Sequence, residues 1–192
     1  VSLARPVRWL HTYLSLIGCA ALLFFAVSGL TLNHAAFFES GGEQTRSWSG
    51  QVPRELLPAG AEFEARPLVE WLHSQAGLRG ALHDLQLSAD ELELVLKGPG
   101  YSADARIQLA SGTVELSETR LNAWARLNDL HKGRDSGDAW SVLIDVSAVL
   151  LALSGLSGMW LLLYVHSRRF AGLLVSVIGL LVMLLVGWLW VP

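Results

Sequence analysis

The chain has 192 residues and a mass of 20.9 kDa, with 52% hydrophobic residues, only 16% charged residues, a mean hydropathy of +0.42 and a net charge of −3. A soluble domain usually carries about 25% charge, so the composition excludes a disordered chain, and the negative balance offers nothing to a nucleic acid. The single cysteine, Cys19, excludes an internal disulfide or a thiolate metal cluster.

The first element is WLHTYLSLIGCAALLFFAVSGLTLNH, with Arg5 and Arg8 before it and no Asp, Glu, Lys or Arg from residue 9 to 33. A signal peptide is the competing reading, but an apolar run of about 22 residues exceeds the usual 7–15 of a signal core. The run also ends in Asn33-His34 rather than at small residues. It reads as a membrane span, which needs roughly 20 apolar residues. Residues 40–60 are rich in Gly, Ser and Pro, without a sustained period, and read as a tether. Glu64 to Gly77 then reads as a short helix with Leu68, Trp71, Leu72 and Gln75 on one face and Gly77 as its stop.

Strand signals follow. Leu82, Leu85 and Leu87 lead in, and Leu92, Leu94 and Leu96 alternate with Glu91, Glu93 and Lys97. Gly98-Pro99-Gly100 makes a turn, Ala103, Ala105, Ile107 and Leu109 alternate, and Ser111-Gly112 turns again before Thr113 opens another strand. The expectation is one small α+β unit, helix first, then three or four antiparallel strands. An amphipathic stretch from Leu121 to Leu130 leads to His131 and a glycine stop at Gly133. Two further spans follow: residues 140–165 hold one charge, Asp145, and residues 170–192 hold none.

The fold class expected is therefore membrane α-helical, with three transmembrane helices and a small α+β domain inserted between spans 1 and 2. The boundaries expected are 1–34 for the N-terminus and span 1, 35–60 for a linker, and 61–120 for the α+β domain. Residues 121–139 form the amphipathic helix and connection, 140–166 span 2, and 170–190 span 3. Arg5, Arg8, Arg168 and Arg169 flank the spans on one side with no acidic residue among them, so the positive-inside rule puts the N-terminus in the cytoplasm and residues 34–139 outside. Small residues recur in the spans, at Ser28-Gly29, at Ser154-Gly155-Leu156-Ser157-Gly158, and at Gly172, Gly179 and Gly187. They suit close helix packing or leave room for a flat ligand, and spacing leaves both readings open.

Four of the six histidines border the spans: His11 and His166 at the inner ends, His34 and His131 at the outer. Two histidines at each depth, with no cysteine, are too few for zinc, which takes three or four protein ligands at one site. Haem b needs only one imidazole on each face of its iron. His11 and His34 are 23 residues apart in the chain, which is roughly 34 Å along a helix and about 140° around it, so one haem cannot use both. The consistent version is one or two haems, with His34 and His131 as iron ligands near the outer face and His11 and His166 near the inner. Histidines as plain interface anchors is the competing reading. His73 and His83 stand alone, and no Ser/His/Asp arrangement, HExxH or phosphate loop is present.

Several segments carry a resemblance. Arg8-Trp9-Leu10-His11 opens the first span and Ser28-Gly29-Leu30-Thr31-Leu32-Asn33-His34 closes it. Asp129-Leu130-His131-Lys132-Gly133-Arg134 precedes the second span, and Leu153-Ser154-Gly155-Leu156-Ser157-Gly158-Met159-Trp160 lies within it. Ala110-Ser111-Gly112-Thr113-Val114 marks a strand–turn–strand. Over nearly its whole length the chain resembles the short, three-span branch of the PepSY-associated transmembrane family. The resemblance implies a bacterial inner-membrane location, a periplasmic PepSY-like domain, and haem-dependent electron transfer to a ferric chelate (siderophore) or a flavoprotein. His11, His34 and His131 occupy motif positions; His166 rests on depth pairing alone. The family's covalent-flavin attachment pattern is missing, so any such flavin belongs to a partner. The alternative is a membrane-anchored PepSY module that binds a partner or regulates a peptidase. Membrane lipid is the remaining expected partner, and nucleic acid is not one.

Overall fold

A computed structural model describes residues 4–58 and 63–191. Residues 59–62, the end of the expected tether and the first two positions of the expected domain, lie outside the described residues. The chain divides into two compact units, Val1–Phe24 with Ile144–Pro192, and Phe25–Leu143.

Three helices are long and apolar enough to cross a membrane. These are α1 (Ala4–Asn33), α5 (Asp138–Leu162) and α6 (Arg169–Trp190). Their most apolar stretches have mean hydropathies of 2.1, 1.9 and 2.7, respectively. α6 is apolar all round and buries no side chain against protein, as expected of a helix whose solvent is lipid. Gly172 near its start meets the Leu162 side chain at the end of α5, where a Cβ would come within 2.6 Å.

The second unit holds a five-stranded antiparallel sheet in the order β1-β5-β4-β3-β2. The strands are β1 (Gln44–Gln51), β2 (Ala81–Leu87), β3 (Glu91–Gly98), β4 (Tyr101–Gln108) and β5 (Thr113–Arg120). Strict alternation in β3, β4 and β5 puts Leu92, Leu94, Leu96, Ala103, Ala105, Ile107, Val114 and Leu116 on one buried face, as the two-residue period of a strand requires. The helix α3 (Ala65–Ala76) covers that face with Leu68, Val69, Leu72 and Ala76 and ends at Gly77 in the left-handed conformation. Trp71 is half-buried against Trp48, with ring centroids 6.3 Å apart, and Gln75 is exposed rather than part of the apolar face. The helix turns Val69 and Ala76 inward in its place.

The tether expected over 35–60 is corrected by the structure. It contains a short helix α2 (Ala35–Phe38), the strand β1 and a single 3-10 turn at Arg54–Leu56. β1 reads QTRSWSGQ and pairs with β5 along its full length. As an edge strand it needs one apolar anchor, Trp48, so it shows none of the hydrophobic alternation that marks a central strand. Arg46 on the same face reaches inward instead, to Glu118 at 3.7 Å and to the Ala76 carbonyl. Glu118 is only 1% exposed and is held mainly by Arg120, at 2.6 Å. Nearby, burial raises the Tyr101 phenol above its ordinary pKa; the Arg79 N–H it accepts works against that shift, and Glu118 adds to it.

The helix α4 (Ala123–Lys132) completes the unit. Asn122 caps its start by accepting from the Ala125 N–H at 2.9 Å, and Gly133 ends it at φ 68°. Both are standard signals for where a helix starts and stops.

Candidate functional site

Two histidines are seated in the same way, one in each unit. In the first unit, positions 11, 15 and 18 of α1 lie on one face, at the i, i+4, i+7 spacing of a helix. They meet α5 in antiparallel order: His11 Nδ1 to Ser157 Oγ at 2.8 Å, Ser15 Oγ to Ser154 Oγ at 2.7 Å, and Gly18 against Leu151. The imidazole edge lies over Gly158, where a Cβ would stand 3.1 Å from His11 Cε1.

In the second unit, His131 sits in the last turn of α4. Its Nδ1 is 2.6 Å from Ser28 Oγ, and its Cε1 lies 3.4 Å from where a Cβ on Gly29 would be. Phe25 packs edge-on against the ring, with centroids 5.3 Å apart at 72°. A buried polar network holds α4 in place. Thr31 Oγ1 donates to Asn128 Oδ1 at 2.8 Å, and Asn128 Nδ2 donates to Glu39 Oε1 at 2.7 Å. Ser28, Thr31 and Asn128 are all 3% exposed or less, and buried polar groups are retained only where they are paired. Trp140 Nε1 donates to the Leu130 carbonyl at 2.8 Å.

The serines set the chemistry of both rings. Ser157 Oγ is also 3.0 Å from the Ser154 carbonyl, and a hydroxyl that donates there accepts from His11 Nδ1. Ser28 Oγ has a longer contact, 3.5 Å, to the Phe25 carbonyl, and either Ser28 or His131 can be the donor in their bond. In the tautomer with the proton on Nδ1, Nε2 carries the lone pair that ligates a metal. The other ring nitrogen of a ligating histidine nearly always has such a partner. An imidazole with one ring nitrogen anchored in this way fits a residue that would hold haem iron.

The remaining predicted residues are placed differently. His34 is exposed at the head of α2 and makes no side-chain cap bond. His166 is exposed in the turn between α5 and α6. Among the described residues no hydrogen bond or ring contact joins His34 to His131 or His11 to His166, and no group of three or more His, Cys, Asp or Glu could hold a metal ion. His83, expected to stand alone, meets Asp135 at 3.3 Å. It occupies the register shift between Leu82 and Asp84 in β2, which turns it out of the strand ladder. His73 on α3 has a buried Nε2 without a partner.

Sequence reasoning missed Ser28, Ser157, Thr31 and Asn128. The available signal was the dipeptide itself: Ser-Gly occurs at 28–29, 154–155 and 157–158 in two different spans, and the first and last copies each take a histidine from another helix, while Ser154 meets Ser15. In those two copies the serine bonds the ring and the glycine supplies room for the ring edge.

A family model described as putative PepSY_TM-like matches residues 5–192. No curated protein and no solved structure matches the chain.

Proposed function

Because the chain belongs to the PepSY_TM-like family, we propose that it is a haem-dependent electron-transfer protein of the bacterial inner membrane. His131 and His11 serve as the anchoring axial ligands. His34 and His166, whose side chains are exposed, would serve as the second ligand at the outer and inner site respectively. The observation that supports this reading is the paired Ser–His seat, in which Nδ1 of each imidazole is held on a serine hydroxyl of another helix. Bound haem would supply one-electron chemistry. The chain's own residues orient the imidazoles, through Ser157 and Gly158 at His11 and through Ser28, Gly29 and Phe25 at His131. The acceptor class is a periplasmic ferric chelate or flavoprotein.

The test is an absorption spectrum of the full chain purified from cells supplied with a haem precursor. The expected result is a Soret band with the sharp visible bands of low-spin, bis-histidine iron. A folded but colourless protein overturns the redox reading in favour of a membrane-anchored binding or peptidase-regulatory module.

The proposed orientation rests on Arg5, Arg8, Arg168 and Arg169. With Cys19 replaced by alanine, a cysteine introduced at the exposed position Ser49 on β1 is expected to react with an impermeant maleimide in intact spheroplasts. Labelling only after the membrane is breached reverses the topology.

A further inference from the structure

A cleft of about 410 Å³ opens in the second unit between the β3–β4 hairpin and the loop after α4. The hairpin turn is locked to α4. Gly100 N donates to Asp129 Oδ2 at 2.9 Å, the Leu121 N–H donates to the Gly100 carbonyl at 2.9 Å, and Gly100 has φ 65° with Arg126 backbone atoms 3.1 Å from where a Cβ would be. A side chain there would be strained by the backbone and blocked by the helix. Gly80, Gly98 and Gly100 add no side chain to that wall.

Arg79, Lys97 and Arg126 line the cleft, and among the described residues none of them has an ion-pair partner. Of the other charges at its rim, Arg120 is paired with Glu118, and Asp135, 3.3 Å from His83, adds one carboxylate. Ser136 Oγ, in the same lining, is buried without a hydrogen-bond partner. Three cations against one carboxylate in the same lining, with a serine hydroxyl that has no partner among the described residues, suit an oxygen-rich anion. The chain then runs from Ser136 and Gly137 directly into Asp138, the first residue of an apolar span. A loop attached there stands at headgroup level, where each Lys or Arg gains from anionic lipid.

We propose that this cleft binds a phosphate group, carried by the headgroup of an anionic phospholipid. The site is independent of haem. The cations neutralise the phosphate, and the Ser136 hydroxyl donates to one of its oxygens.

The experiment uses the full chain in detergent. Thermal unfolding is followed during titration with dioleoylphosphatidylglycerol, with dioleoylphosphatidylcholine, or with inorganic phosphate. Phosphatidylglycerol is expected to raise the midpoint more than phosphatidylcholine does. The double variant Arg79→Gln/Lys97→Gln, with an unchanged circular dichroism spectrum, should need roughly tenfold more of it, the scale of one or two lost charge-assisted hydrogen bonds. Arg54→Gln, a cation outside the cleft, should titrate as wild type. Should the double variant misfold, Arg126→Gln alone carries the same comparison. A variant-sensitive response to inorganic phosphate, with no added effect of the lipid, overturns the lipid source and keeps the phosphate site. Identical responses of wild type and variants to both probes overturn the site. Loss of haem from the variants with unchanged lipid titration also overturns it, and reassigns the cations to haem carboxylates.

Discussion

Replacing His131 with alanine is expected to abolish the low-spin haem spectrum of the outer site, and replacing Ser28 with alanine to weaken haem retention there by roughly 10- to 100-fold. The two changes act on different atoms. His131→Ala removes the iron-binding nitrogen. Ser28→Ala leaves that nitrogen in place and removes the hydroxyl 2.6 Å from Nδ1, so the ring loses the bond that orients it. His11→Ala and Ser157→Ala should repeat the pair of effects at the inner site, because Ser157 stands in the same relation to His11. His34→Ala separates the second ligand from the first: the outer iron stays bound and turns high-spin. His73→Ala, on the helix that covers the sheet, leaves the spectrum unchanged. Wild-type haem content and low-spin bands in both His131→Ala and His11→Ala would sink the assignment. A wild-type affinity in Ser28→Ala would show that the hydroxyl is a packing neighbour and not what orients the ring.

The three spans were legible in the sequence because lipid imposes a length and excludes charge, and both are counted from residue types alone. The same holds for β3, β4 and β5, where the two-residue alternation of Leu, Ala and Ile lies on one face of a central sheet. β1 was not legible. Its outward positions Thr45, Ser47, Ser49 and Gln51 are polar, as they must be at an edge, and its inward Arg46 is stabilised by a carboxylate 72 residues further along the chain, Glu118. No local pattern reports a partner that distant. The histidine seats were half legible. The four histidines stood out by depth, while the Ser-Gly dipeptides were read as places where helices approach. Helices do approach there: α1 meets α5 through Ser15 and Ser154, and what the residue pattern left unsaid is that the glycine receives an imidazole edge and the serine beside it bonds the ring. Single-residue spacing could not say which histidine meets which serine, because the partners lie 146 and 103 residues apart.

Leu72→Ala is expected to destabilise the sheet domain by about 2–5 kcal/mol, the range for truncating a buried leucine. Leu72 is 0% exposed in the centre of α3, between Leu68 and Ala76 and over the leucines of β3. α3 gives the core four of its buried side chains, and Val52 and Leu78 from the flanking segments close it at the sides. Trp48 and Trp71 at the β1 edge are only half-buried and relax more easily. A loss of 2 kcal/mol raises the open population roughly thirtyfold, which is a large part of the 5–15 kcal/mol that holds a typical domain together. Limited trypsin digestion of the full chain reads this directly, because Lys97 and Arg106 lie inside paired strands and are cut only when the sheet opens. Glu115→Ala, exposed on the opposite face of β5, should change the rate little, since surface substitutions usually stay within about 0.5 kcal/mol. Equal digestion rates for Leu72→Ala and wild type would mean that α3 is not what closes the core.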